Sequence, residues 1–508
     1  MQQEVAIKPI AARAEVLPDS HARSAAPSKR ISFVWLALLV GFIFRLLLLN
    51  SSSSLLNSDT AIVQLMTENA AHGHFTVFYW GQPYGGTLLQ LSAAPVFRLF
   101  GPSTFALGVV EALWALAAVL VLRRLVSRLW SPLAGDLAAV LAWVPGAELV
   151  RLSIVEGGFY SQAISLGLLS LLWATDPRLT GSWRRVAALG AVVGLCWWTA
   201  PTAMAFAGPA VVVALLQRLP LRSVLVGSAA VVLASAPWLV SNWHSRGAAL
   251  RQGTVPNAEV PLRAVQFFTR VVPTALNNSA GTSEQLLVGS LAGAVFLVVT
   301  LLAARRGKLW QLAFLASAAL SAVAVAKGQQ AELTAGAFRY AVLAVPALAA
   351  ATAVLICRVP RPRAVAWAVV TLVCAVTYGG MGRLSGGGLQ PAYPGHVLPE
   401  VQALRAALDA RGLHAVYASY WTAYVLDSVG DGRITAAALE PRRYPPYEAR
   451  AALSAQTTIV VNSGGPNDVL LRRRHAELPA FTTLVVGGLT VFCFAGRFDP
   501  YQFAFDQY

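Results

Sequence analysis

Charged side chains are scarce in this sequence. Asp, Glu, Lys and Arg make up 12% of its 508 residues, against about 25% in a typical soluble domain. That shortfall excludes an ordinary soluble globular protein. Cysteine is rarer still: Cys196, Cys357 and Cys374 lie in or beside apolar runs, and Cys493 stands alone near the C-terminus. Their spacing excludes a disulfide framework and a cysteine metal centre. No RNP, zinc-finger or basic-helix pattern accompanies the formal net charge of +16, so no nucleic-acid partner is expected. The first apolar run has no small-residue cleavage site after it and reads as a retained span, not a signal peptide. There is no evident internal repeat.

In place of charge the sequence has apolar runs. Hydrophobic residues make up 56% of it, and runs of the roughly 20 residues needed to cross a bilayer recur from Ile31 to Gly380. About eleven spans are expected by this criterion, near 31–49, 104–122, 133–149, 158–174, 187–200, 202–217, 223–242, 285–304, 309–326, 339–357 and 364–380. Segment 86–101 is apolar but shorter and carries Arg98, which suggests a helix lying at the interface. The basic clusters support the count. Lys29/Arg30, Arg123/Arg124/Arg128, Arg178/Arg184/Arg185, Arg218/Arg222, Arg305/Arg306/Lys308 and Arg358/Arg361/Arg363 all fall on one side. The positive-inside rule makes that side cytoplasmic. The expected protein is therefore an α-helical polytopic protein of the cell membrane. It would have a disordered cytoplasmic tail (1–28), a transmembrane domain (29–380) and an extracytoplasmic C-terminal domain (381–508). In that last part LPEVQALRAALDARG has helical period, and HAVYASY, RITAAAL, TTIVVNS and TTLVVGGLTVFCFAG read as β-type runs. Strands alternating with helices imply a small α/β domain.

The first outer loop, residues 50–103, holds an unusual stretch, SDTAIVQLMTENAAHGHFTVFYWGQPYGG. Long loops with local structure are often functional. Asp59 follows the first span closely, so the span can hold it at a fixed depth. It reads either as an N-cap of the helix TAIVQLMTENAA, a task Asn57 and Ser58 can also perform, or as a carboxylate aimed into a cavity. His72 and His74 flank Gly73 and with Asp59 form a candidate metal site; a divalent metal is left open. Gln82 and Tyr84 suit sugar or lipid-phosphate contacts, or shape the turn. Glu156, in RLSIVEGGFY, is a candidate to orient an acceptor, bind a metal or pair with Arg151. Arg339, beside Tyr340 at the outer start of a span, is a phosphate-binding candidate or a snorkelling anchor. Lys327 is a second candidate of the same kind. Glu111 lies inside the second span, where an acid usually faces a cavity or a partner; in the span's outer half it is also within reach of water. Arg45 lies about 8 Å from the end of the first span, which snorkelling explains.

The order of these elements resembles the GT-C membrane glycosyltransferases, most of all family 39, which includes protein O-mannosyltransferases and lipid A aminoarabinose transferases. The matching stretches are SDTAI, GQPYGG, APVFRLFG, PSTFALGVVEALWALAAVLVL, APWLVSNW and AGAFRYAVLAVPALAAATA. They cover roughly residues 31–380. Where many members carry paired acids, Asp59 is followed by Thr60, and GQPYGG replaces His-Pro-Pro. The resemblance implies a GT-C-like fold and transfer of a sugar from a polyprenyl-phosphate donor to an extracytoplasmic glycan, lipid or protein, with inversion. Asp59 would serve as general base, with Glu156 assisting. Arg339, Lys327 and Tyr340 would hold the donor phosphate, and Gln82, Tyr84 and His74 the substrate. A transporter or flippase of a lipid-linked or small polar substrate is the alternative. It would place its polar residues at the bilayer midplane, whereas most spans here are uncharged.

Overall fold

The computed structural model describes residues 33–50, 56–154, 159–251, 255–277, 282–328, 335–385, 398–430 and 432–505. Each of the eleven expected spans coincides with helix, as backbone in hydrocarbon must, since it can satisfy its polar groups only internally. Among the described residues four helices are long and apolar enough to cross a membrane: Thr104–Leu129, Leu221–His244, Leu287–Arg305 and Leu309–Lys327. Others are shorter, among them Phe33–Leu49, Tyr160–Ala174 and Val345–Ile356. Their outward faces carry exposed Leu36, Leu225, Leu233, Leu297 and Leu372, side chains that a bilayer covers. The chain is a membrane protein.

Two expected spans are interrupted. The one expected at 133–149 is two helices, Pro132–Trp143 and Ala147–Leu152, because Pro145 cannot donate to the ladder. The one at 339–357 starts as a 3-10 turn, Ala335–Leu343, and becomes α-helix at Val345, with Pro346 in its first turn. Segment 86–101 forms a short helix, Leu88–Phe100.

Arg45 differs from expectation, and Glu111 takes the partnered setting of the two expected for it. Arg45 does not snorkel; it is 2% exposed. Its Nε donates to Ser153 Oγ at 2.8 Å, Nη1 to the Gly41 carbonyl at 3.1 Å and Nη2 to the Trp143 carbonyl at 2.9 Å, and its guanidinium lies 3.6 Å from the Trp143 ring centroid. Glu111 is also buried, away from water. It accepts from Gln162 Nε2 at 2.7 Å, tying the second span to the Tyr160–Ala174 helix. Both are helix-to-helix links of the kind buried polar groups form in bilayers.

Some of the basic residues link the ends of neighbouring helices. Arg123 pairs with Asp136 at 2.7 Å and Arg185 with Asp176 at 2.9 Å. Arg128 donates to the Leu172 carbonyl at 2.5 Å.

The C-terminal region forms a five-stranded sheet of β1 (Ala415–Ala418), β2 (Thr435–Ala438), β3 (Thr458–Asn462), β4 (Phe481–Val486) and β5 (Leu489–Phe494), in the order β2-β1-β3-β5-β4. β1 is parallel to β2 and β3; β5 is antiparallel to β3 and β4. The last β-type run is thus a hairpin, turned by Gly487–Gly488 as two-residue loops favour. Helices Leu398–Asp409, Tyr420–Val429, Pro445–Ala451 and Pro466–Arg473 accompany the sheet.

This domain does not stand apart from the spans. One apolar core joins Ala61, Ile62 and Leu65 of the first outer loop with Leu89 and Phe97 of the Leu88–Phe100 helix and with Val401, Leu404, Tyr424 and Val425 of the C-terminal domain. Loop and domain therefore share one side of the bundle. The eleven-span count requires this, because an even number of crossings separates them.

Candidate active site

The helix Ser58–Ala71 fixes Asp59. Its N-cap is Asn57, whose Oδ1 accepts from the Thr60 amide at 2.9 Å. The Asp59 carboxylate is therefore not spent on capping. Its Oδ1 accepts a hydrogen bond from the Tyr420 hydroxyl at 2.5 Å. Two further bonds hold the turn: the Ser58 hydroxyl donates to the Tyr420 carbonyl, and the Tyr79 hydroxyl donates to the Asp59 carbonyl at 2.9 Å. The C-terminal domain thus grips the start of this helix.

The GQPYGG turn is wedged between two neighbours. Gly81 has φ +70°, and a Cβ there would lie 2.6 Å from Arg443 Cδ and 2.8 Å from Arg443 Cα. At Gly86 a Cβ would lie 2.6 Å from the Trp198 carbonyl oxygen, and the Gly86 amide donates to the Thr199 carbonyl at 2.8 Å. Only glycine permits both approaches. Between them Tyr84 is half-buried. Burial pushes its hydroxyl pKa up; Tyr340 and Asp59 add to this, while Arg443 and Arg339 oppose it. One hydroxyl thus feels residues from the first outer loop, the Ala335–Leu343 turn and the C-terminal domain. Arg339 lies 5.2 Å from the Tyr340 ring centroid, and Tyr340 meets Tyr160 edge-on at 6.4 Å.

Sequence reasoning missed Tyr79, Tyr420 and Arg443. Burial, followed by the Asp59 charge, raises the hydroxyl pKa of both Tyr79 and Tyr420, so both remain hydrogen-bond donors. The Arg443 amide donates to the Tyr424 hydroxyl at 2.8 Å, and the Arg443 guanidinium carbon lies 5.7 Å from the Tyr420 ring centroid. A chain of neighbours, guanidinium, phenol and carboxylate, runs from Arg443 through Tyr420 to Asp59. Burial lowers the Arg443 pKa, but Tyr420, Tyr79 and Asp59 outweigh it and the net direction is up. Behind this chain Trp80 stacks on Tyr444 with centroids 3.8 Å apart and planes 14° from parallel. The only sequence signal was the run of arginines, tyrosines and prolines in PRRYPPYEAR, which matches no motif.

Other expected site residues lie elsewhere. The Lys327 ammonium donates to the Val255 carbonyl at 2.8 Å and to Asn257 Oδ1 at 2.5 Å, which fits an anchor at a span end. His72 and His74 are exposed past the far end of the Ser58–Ala71 helix, about 20 Å of helical rise from Asp59, so the expected metal grouping of these three does not form. Among the described residues no three His, Cys, Asp or Glu side chains converge on a metal position. Gln82 is half-exposed on the GQPYGG turn, its amide donating to the Tyr79 carbonyl at 3.1 Å. Glu156 lies outside the described residues; its suggested partner Arg151 pairs with Glu148 at 3.3 Å.

Beside Tyr160 a partly open, mainly apolar pocket lies between the spans. Its walls include Arg45, Ala118, Trp143, Tyr160, Val342 and Pro346.

Solved structures share this architecture. ArnT from Cupriavidus metallidurans bound to undecaprenyl phosphate matches with a TM-score of 0.58 at 14% identity, covering 91% of this chain and 98% of that one. Its apo state gives 0.60 at 14% identity, over 91% and 97%. The Archaeoglobus fulgidus oligosaccharyltransferase in complex with Zn and sulfate gives 0.50 at 15% identity, over 91% and 73%. No family model and no curated protein matches the chain by sequence. At such identities the likeness establishes the fold alone, and that fold is the one the sequence resemblance implied.

Proposed function

We propose that the chain is a membrane glycosyltransferase that moves a sugar from a polyprenyl-phosphate donor to an extracytoplasmic acceptor with inversion. Asp59 is the general base, and Arg339 with Tyr340 binds the donor phosphate. One observation carries the reading: the Asp59 carboxylate, free of capping duty, is held by the Tyr420 hydroxyl, while Tyr79, just before the GQPYGG turn, bonds the Asp59 carbonyl. The fold of ArnT, solved with a polyprenyl phosphate, supports the donor class. The cavity beside Tyr160 supports it too, since its apolar walls suit a prenyl chain.

The chemistry follows from these groups. An acceptor hydroxyl is a weak nucleophile until a positioned carboxylate takes its proton. Its oxygen bonds to the anomeric carbon as the bond from that carbon to the phosphate oxygen breaks. The electron pair leaves with the phosphate, where a waiting guanidinium stabilises the added charge. Tyr420 holds Oδ1 of Asp59, so Oδ2 is the oxygen that faces the acceptor. Tyr84 is a donor for sugar hydroxyls. The Archaeoglobus protein was crystallised with Zn; with no converging ligand trio among the described residues, no step here is routed through a metal.

The test supplies the protein in nanodiscs with polyprenyl-phosphate hexoses and pentoses, or with nucleotide sugars, together with cell-envelope extract. Release of polyprenyl phosphate coupled to sugar transfer is expected only with the lipid-linked donors. Transfer from a nucleotide sugar without the lipid would overturn the proposal.

A further inference from the structure

A crevice lies where the first span begins, about 24 Å of helical rise from the end that leads to Asp59. It is lined by Phe33 of helix Phe33–Leu49, Leu133 of helix Pro132–Trp143, and Arg363, Ala366, Trp367 and Val370 of helix Pro362–Ser385. Those last four recur at the spacing of a single helical face. Along that face a cation at the helix start gives way to apolar side chains, the order in which a phospholipid presents its headgroup and its acyl chain. Ala366 and Val370 are buried and floor the crevice. Trp367 is 55% exposed and packs on Phe33 with ring centroids 5.0 Å apart. The charge at the mouth has no counterpart in the protein. Arg358 and Arg361, on the turn before this helix, are exposed like Arg363. The sequence has no Asp or Glu between Glu332 and Glu400. Among the described residues no carboxylate pairs with any of the three. Arg123, whose guanidinium lies 5.2 Å from the ring of the neighbouring Trp35, is by contrast paired with Asp136 at 2.7 Å. Water alone satisfies exposed arginines, but it does not account for an apolar crevice beneath one of them.

We infer that this crevice binds an anionic phospholipid of the surrounding bilayer, with an acyl chain along Leu133, Ala366 and Val370 and the phosphate at Arg363. The inference is independent of the transferase reading. A guanidinium takes two phosphate oxygens at once. Exposed Trp367 suits the headgroup level, where tryptophan is enriched. Charge decides between phospholipids. A zwitterionic headgroup brings an ammonium that Arg358, Arg361 and Arg363 repel. An anionic headgroup brings none, and each basic residue near it adds attraction. The bound lipid would touch helices Phe33–Leu49, Pro132–Trp143 and Pro362–Ser385 together, so it stabilises the folded chain by mass action.

The experiment titrates the full chain in detergent with phosphatidylglycerol or with phosphatidylcholine of the same acyl chains, and counts retained lipid by native mass spectrometry. Saturable retention of phosphatidylglycerol is expected, with weaker retention of phosphatidylcholine. Arg363→Gln should lower phosphatidylglycerol affinity about fivefold, the share of one basic residue near a headgroup. Because Arg363 is exposed, the substitution leaves the packing intact. Arg306→Gln, at an exposed arginine of another turn, should leave affinity unchanged. Trp367→Ala, which removes a wall without altering charge, should weaken phosphatidylglycerol several-fold. Equal retention of the two lipids overturns the inference, and so does parental affinity in Arg363→Gln. An equal loss in Arg363→Gln and Arg306→Gln overturns it too, since attraction would then be spread over the surface. Parental affinity in Trp367→Ala would remove the crevice as the seat. A photo-crosslink from position 367 to residues 1–32 in place of lipid would give the crevice to the chain's own N-terminal segment and likewise overturn it.

Discussion

Trp80 gives access to the contact between the outer loop and the C-terminal domain. Its indole is 5% exposed and stacks on Tyr444 at 3.8 Å, with Tyr447 edge-on at 6.2 Å. Replacing a buried Trp by Ala typically costs about 3–5 kcal/mol, of which an aromatic pair accounts for about 0.5–1.5 kcal/mol beyond buried area. Trp80→Ala should therefore destabilise the docked domain by several kcal/mol. Trp80→Phe, which keeps a ring on Tyr444, should cost clearly less. Unfolding of the purified protein, followed by tryptophan fluorescence and limited proteolysis, measures both. A double-mutant cycle with Tyr444→Ala should return a coupling of roughly 0.5–1.5 kcal/mol. Transfer should fall with docking, because Tyr420 and Arg443 reach Asp59 only across this contact. A stable Trp80→Ala protein with full transfer and no coupling to Tyr444 would refute this reasoning.

Two more predictions concern single side chains. Asp427 is buried, its Oδ1 accepting from the Ala436 amide at 2.8 Å; burial raises its pKa well above 3.8, against the Ala436 amide and Arg450. The folded protein then holds this proton to higher pH than the unfolded chain does, so the contribution of Asp427 to stability is fully present below about 3.8 and is lost as pH rises through the window above it. In Asp427→Asn that decline disappears: the Tm of the variant minus that of the parent should grow across this window, and a flat difference would contradict the assignment. Arg339→Lys should insert and fold normally but bind polyprenyl phosphate about tenfold less tightly, measured by ligand binding in nanodiscs; parental affinity would make Arg339 an anchor.

Much of this architecture was legible because the bilayer leaves few alternatives. Apolar runs became helices. The interruptions at Pro145 and before Val345 were harder to see, since both lie inside continuous apolar runs. Asp59 was legible from its position just after a span. Its partner was not: Tyr420 lies 361 residues further along the chain, in a stretch that reads only as the end of a strand. Arg443 was hidden for the same reason, since only the docking of the C-terminal domain brings it to Gly81. Arg45 misled because distance from a span end predicts snorkelling only for a lipid-facing side chain, and this one turns inward onto Trp143. His72 and His74 sit near Asp59 in sequence, but the intervening helix carries them to its opposite end.

The central claim is that Asp59 takes the acceptor proton, and Asp59→Asn tests it most directly. Asparagine keeps the size and can still accept the Tyr420 hydrogen bond, and Asn57, not residue 59, caps the helix. Folding and polyprenyl-phosphate binding should therefore persist, while transfer measured in the same nanodiscs falls by about 100-fold or more, the low end for loss of a general base. Turnover near that of the unsubstituted protein would contradict the account and leave Asp59 as a partner of Tyr420 alone.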